Sequence, residues 1–147
     1  MTTGGTTGGV TSVNSKAGAV VLAASDVGAL PVGGGTMEGW IAPDVAALAG
    51  AATVLVNAAL GNAFNLTLAS SSWTMGSPSN PTDGQVIRFR LTQDATGSRT
   101  VAWASAYDFG AGSAPTLSTA ASKVDVIAFE YVASLSKWCY LGSVLGF

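Results

Sequence analysis

The sequence contains no histidine and a single cysteine, and only 10% of its 147 residues are charged. Each shortage closes a class of chemistry. Without imidazole there is no Ser-His-Asp or Cys-His arrangement, no common general base near neutral pH, and little with which to hold a transition metal. Cys139 has no partner for an intrachain disulfide, and between Trp138 and Tyr140 it reads as a small packed side chain. Six basic residues against eight acidic give a net charge of −2 and no clustered basic face, so nucleic acid is not expected as a partner. Long apolar runs are missing too. The charge-free stretch between Asp44 and Asp83 has an apolar part, 45–60, that is shorter than the roughly 20 residues a spanning helix needs. Asn57, Gly61, Asn62 and Asn65 also interrupt it, so no membrane span is expected. The amino-terminal MTTGGTTGG lacks a basic segment leading into an apolar one, which points to synthesis in a cytoplasm.

What is present is apolar and small. Hydrophobic residues make up 48% of the chain, much of it alanine and valine. So few charges do little to keep neighbouring molecules apart, and burial of surface against copies of the same chain is expected. The clearest local pattern runs from Gln85 to Trp103. Ile87, Phe89 and Leu91 alternate with Arg88 and Arg90, Asp94-Ala95-Thr96-Gly97 supplies a turn, and Val101 and Trp103 resume the alternation, which together predict a β-hairpin. Val54, Val56 and Ala58 share one side of a strand, as do Phe64, Leu66 and Leu68 of the next, with Gly61-Asn62 between them. Ser70 to Pro81 reads as a surface loop carrying Trp73 and Met75. Ala104 to Ala121 is a long excursion anchored by Tyr107, Phe109 and Leu117, followed by a strand Val124 to Val132 and a last pair within Lys137 to Phe147. About seven or eight short strands and no long helix favour a mainly β fold, an antiparallel jelly-roll-like β-sandwich.

Ahead of it the chain is different. Residues 1–9 hold two copies of Thr-Thr-Gly-Gly, a flexible tether, and no Gly-Lys-Ser/Thr follows to make it a phosphate loop. Residues 10–47 read as an extended arm in which two apolar runs, Val10 to Val13 and Ala19 to Leu22, flank Asn14 to Gly18. Its apolar side chains, Val10, Val13, Val20, Leu22, Leu30, Met37, Trp40 and Ile41, have nothing nearby in sequence to cover them and are the candidates for oligomerisation or attachment. The sandwich is expected over 48–147.

Candidate chemistry in the sandwich is limited to carboxylates and aromatic rings. Asp83 and Asp94 lie in turn sequences, Asp108 lies within the excursion, and Asp125, at the start of the strand after it, is placed facing away from Ile127 and Phe129. Glu130 is expected on the outer side of its strand, within reach of Arg88 or Arg90. No acid-base pair, metal site or cofactor site is expected among them, and no enzymatic activity. Trp103 and Trp138 belong to core or interface, which leaves Trp73 and Tyr107, both read as loop residues, as the candidates for glycan contact.

The arm also carries a resemblance. Val10, Ser12, Val13, Asn14, Lys16, Gly18 and Val20, then Asp26 to Ala29, then Gly34, Gly35, Thr36, Met37 and Gly39 match segments that recur in tail-fibre and other virion surface proteins of tailed bacteriophages. Ser15 and Ala17 depart from the usual glycine and threonine, which bears on the type of tight turn. The stretch from Gly61 to Trp103 and the ending KWCYLGSVLGF also resemble a carboxy-terminal domain of phage fibre-like proteins. The resemblance implies a structural component of the virion surface, made in the host cytoplasm, whose partners are copies of itself in a homotrimer and other virion proteins. A chain of this length favours a minor tail protein, short fibre or capsid decoration over a long receptor-reaching fibre. The alternative it implies is an adhesin that binds host-surface carbohydrate.

Overall fold

A computed structural model describes residues 42–147, together with the backbone of Ser12–Val13 and Lys16–Ala17. The chain divides into two compact units, Met1–Ile41 and Ala42–Phe147. In the first, β1 (Ser12–Val13) and β2 (Lys16–Ala17) pair antiparallel, with Val13 opposite Lys16. The remaining arm residues named above lie outside the described residues.

The second unit is built on strands whose apolar residues recur every second position. In β5 (Ala63–Leu68), Phe64, Leu66 and Leu68 point inward; in β7 (Val86–Gln93), Ile87, Phe89 and Leu91 do, and in β10 (Val124–Val132), Ile127 and Phe129. Before them come β3 (Val45–Ala47) and β4 (Thr53–Val54), between them β6 (Ser72–Met75), β8 (Thr100–Trp103) and β9 (Tyr107–Asp108), and the chain closes with β11 (Lys137–Val144). A six-stranded sheet runs in the order β3-β5-β7-β10-β11-β9 and a three-stranded sheet in the order β4-β6-β8.

The fold is mainly β, as the sequence predicts, but the pairing is mixed. From β3 to β8 the chain switches sheet with every strand. As a result β3, β5 and β7 lie parallel in one sheet while β4, β6 and β8 lie parallel in the other. Parallel neighbours need a crossover of a dozen or more residues between them, and here each crossover is a strand of the opposite sheet instead of a helix. The result is a two-layer coil, with Val45 beside Ala63 and Ala63 beside Arg88 on successive turns. Among the described residues of this unit, only β7, β10 and β11 are joined antiparallel.

This winding corrects several local expectations. β7 and β8 do not form a hairpin: β7 pairs with β5 and β10, and β8 with β6 across the molecule. The turn after Gln93 therefore crosses between sheets. Ser70 to Pro81 is not a surface loop, since it contains β6, whose Trp73 and Met75 are buried. Apolar side chains two apart amid serine and threonine were the signal there. The strand expected over Thr53 to Leu60 stops at Val54, and Ala58–Leu60 forms a short 3₁₀ turn in which the Asn57 side chain accepts the Ala59 N–H at 3.1 Å. Val45–Ala47, read as the end of the arm, pairs with β5 and belongs to the body.

Both sheets contribute to one core. Phe89 lies at its centre, with ring centroids of Phe64, Trp103, Tyr107 and Phe129 all within 6.1 Å in tilted or edge-on contact. Phe109 and Tyr140 extend the cluster at one side, and Trp138, fully buried, packs against Tyr131. Rings that meet edge to face contribute about 0.5–1.5 kcal/mol per pair beyond the area they bury. Trp103 of β8 brings the three-stranded sheet into this cluster, whose other strand-borne rings stand on the six-stranded sheet.

Candidate functional site

The two loop aromatics expected to meet glycan sit inside the molecule. Trp73 and Tyr107 are each 6% exposed. The Tyr107 hydroxyl donates to the carbonyl of Gly76 at 3.1 Å, and burial pushes its pKa far above the ordinary phenol range, so it stays protonated as that donor. The indole ring of Trp73 packs so closely over Gly50 that a Cβ there would approach it to 2.3 Å. Neither ring offers a face to a sugar in this subunit. Trp73 packs from β6 onto the segment between β3 and β4, and Tyr107 ties β9 to the end of β6.

The carboxylates are committed to the backbone. Asp83 accepts the Ala133 N–H at 2.8 Å, joining the turn before β7 to the turn after β10. Asp108 accepts the Gly110 N–H at 2.7 Å. Asp94 accepts the N–H groups of Thr96 and Gly97 at 3.0 and 2.9 Å, while both its oxygens meet the Arg99 guanidinium at 2.7–3.1 Å. Arg99, aided by these N–H groups, holds the Asp94 carboxyl down at about 2. Gly97 closes the same turn at φ 75°, where the backbone of Thr119 to Ala121 leaves no room for a side chain.

Two polar residues that the sequence reading did not place in the interior prove structural. Gln93 is 2% exposed, and its side-chain amide donates to the Arg99 carbonyl at 3.0 Å and accepts the Arg99 N–H at 2.8 Å. A side chain thus completes, between the two sheets, the pairing that a neighbouring strand would supply. Asp125, expected to face outward, is 1% exposed, because it lies two residues before Ile127 and so shares its inward face. Its oxygens accept the Ser118 N–H at 2.8 Å and the Gly146 N–H at 2.9 Å. One carboxylate pins both the excursion after β9 and the carboxy-terminal tail. The signal for both was parity: 87, 89, 91 and 93 share a face, as do 125, 127 and 129.

Glu130 does not form the expected pair. It stands opposite Val86, diagonal to Arg88, and among the described residues the ion pair is Asp94–Arg99. No cluster of three metal-ligating side chains occurs among the described residues, and no helix among them is long and apolar enough to cross a membrane. Cys139 is half-buried in β11.

The surface is better suited to assembly than to catalysis. Leu55 is 82% exposed and Leu60 64%, at the uncharged first turn of the coil. Leu141, Val144, Leu145 and Phe147 are exposed over the last seven residues. This tail is held in place, not loose: the backbones of Phe147 and Val124 exchange two hydrogen bonds, and the Lys123 ammonium donates to the Gly146 carbonyl. A fixed backbone that presents large apolar side chains to solvent is the usual mark of a contact surface.

A family model described as "Putative phage tail fibre C-terminal domain" matches residues 43–132, from just before β3 to the end of β10. No curated protein and no solved structure matches the chain. The family match takes in the whole two-layer coil and more than half of the sequence, and on that ground the chain belongs to the phage tail fibre C-terminal domain family.

Proposed function

We propose that this phage virion protein acts as a homotrimer without enzymatic activity, made in the host cytoplasm, its amino-terminal arm attaching to the particle and its β body turned outward. The observation that carries this reading is the family match, which falls on the body and makes the chain a virion structural protein of tail-fibre type. The arm would then be the attaching part, and its apolar residues Val10, Val13, Val20, Leu22, Leu30, Met37, Trp40 and Ile41 would be covered by copies of the same chain or by another virion protein. Two features of the body support self-association: apolar side chains exposed at both ends of its fold, and few surface charges to oppose contact. The commitment of Asp83, Asp94, Asp108 and Asp125 to backbone N–H groups supports a structural role over carboxylate catalysis.

The test is to image purified particles carrying a small tag after Phe147. The proposal expects the tag on the particle periphery at threefold-related positions, and loss of incorporation when Met37, Trp40 and Ile41 are changed together to serine. A tag found inside the particle, or full incorporation of the triple variant, would contradict it.

A further inference from the structure

On the outer side of the six-stranded sheet, a projecting leucine, an apolar hollow and two unpaired charges of opposite sign lie on the adjacent strands β7, β10 and β11. β7 turns Val86, Arg88 and Arg90 outward, because they alternate with the buried Ile87, Phe89 and Leu91. β10 turns Val126, Ala128 and Glu130 to the same side, and the register sets Ala128 beside Arg88 and Glu130 beside Val86. In β11 the pairing with β10 slips by one residue between Ala128 and Phe129, and the extra residue is Leu141. That bulge leaves Leu141 exposed.

Long side chains beside short ones leave hollows on this face. The larger, of about 280 Å³, is bounded by Pro43, Asn62, Val86, Arg88 and Ala128, and three of those side chains are apolar. A smaller one, of about 100 Å³, lies between the two arginines and Ala63, Asn65 and Val126. Leu141 borders neither, since it stands on the far side of β10 from β7. The charges are likewise unmatched within the subunit. Glu130 and Arg88 sit diagonally across β10 and β7, and among the described residues the ion pair is Asp94–Arg99. Glu130 is half-buried, where a carboxylate partly withdrawn from water gains more from a nearby cation than it would in the open. A face that holds a knob and a hollow, an anion and a cation, has on it everything needed to bind itself.

We propose that copies of the chain meet through this face: Leu141 of one copy enters the hollow at Val86 and Ala128 of the next, and Glu130 of the first pairs with Arg88 of the second. Such a contact joins different parts of the two surfaces, which is the kind that closes a ring, and in a ring of three every copy gives one leucine and receives one. The inference rests on the homotrimeric reading above and adds to it the surface that the body contributes.

The test uses the intact chain in solution. Val86→Cys and Leu141→Cys, introduced together with Cys139→Ser, should on oxidation give disulfide-linked trimers on a non-reducing denaturing gel. Within one chain the two positions stand on strands about 9–10 Å apart, beyond the reach of a disulfide, so a bridge reports contact between copies. Glu130→Arg should raise the concentration at which trimers dissociate about tenfold or more. Adding Arg88→Glu restores the pair with its charges exchanged and should return that concentration to within about threefold of the parent. Circular dichroism would establish that the variants are folded. A parent chain that is monomeric would end both the trimer and this surface. A trimeric parent whose cysteine variant fails to cross-link, or whose dissociation is indifferent to Glu130→Arg or not recovered by the exchange, would overturn this surface alone and leave the trimer to other contacts.

Discussion

The body contains two kinds of β-structure, and they are held together differently. From β3 to β8 the strands lie parallel, and each pair of sheet neighbours is separated in sequence by a strand of the other layer. From β10 to the end the chain folds back on itself antiparallel, and a turn closing around Ser136 fixes the register. The antiparallel part carries its instructions locally. The parallel part relies on side chains that cross between layers: Gln85 donates to the Ala58 carbonyl and to Asn62 Oδ1, Gln93 binds both backbone groups of Arg99, and Asn57 caps its own turn while accepting from Asn80. Where backbone cannot pair with its sequence neighbour, polar side chains take over the task of setting register.

The strongest way to test this contrast is to remove what the two parts share. Phe89 touches rings from the coil and from β10, so Phe89→Ala should lower stability by about 3–5 kcal/mol and lose both parts in a single denaturant transition. Two separated transitions would show that the parts fold independently. Next in size is Asp125→Ala, which removes two charge-assisted hydrogen bonds at a buried position and should cost about 3 kcal/mol. Amide exchange at Ser118 and Gly146 should accelerate more than that of the coil amides of β5 and β7, which follow global unfolding. Gln93→Leu keeps the volume but leaves the Arg99 N–H and carbonyl unpaired, for an expected loss of about 1–3 kcal/mol read from urea midpoints. A similar substitution in the antiparallel turn, Ser136→Ala, should cost less, because its hydroxyl reaches only the exposed Ala133 carbonyl at 3.5 Å.

The smallest effect concerns pH. Asp94 titrates near 2 in the folded protein against 3.8 for a free aspartate. A depressed folded pKa means that its contribution is complete above about pH 4 and is lost as pH falls toward 2. Melting temperatures of the parent protein should therefore fall more steeply over that window than those of Asp94→Asn. Identical acid limbs would show that the Arg99 pair at this turn contributes nothing to folding.

The same contrast explains how far the sequence could be read. Strand β10 is legible to the residue, and the inward faces of β5 and β7 are as the alternation predicts, because period two reports which side of a strand is buried. It does not report the neighbour. Gln85 to Trp103 has every local mark of a hairpin, yet Gln93, Asp94 and Gly97 build a crossing between sheets, a difference decided by contacts with Arg99 and Thr119. Asp125 was expected to face outward and Gln93 was not singled out, although the spacing of both places them inside. Tyr107 was read as a loop aromatic for want of a local strand signal, and the two-apart spacing of Trp73 and Met75 was outweighed by the Ser, Pro and Asn around it; tertiary burial decides otherwise for both rings. The arginine pair on β7 was read as a wet face, but the hollows beside it depend on Asn65, Ala63 and Val126, supplied by strands far away in sequence.

The central claim, that this tail-fibre-family chain works as three copies joined through surfaces it cannot cover alone, is tested most directly by the mass of the intact protein in solution. Light scattering across a hundredfold range of concentration should give three times the 14.6 kDa of one chain, with dissociation only on dilution or unfolding. A stable species of 14.6 kDa throughout that range would contradict it.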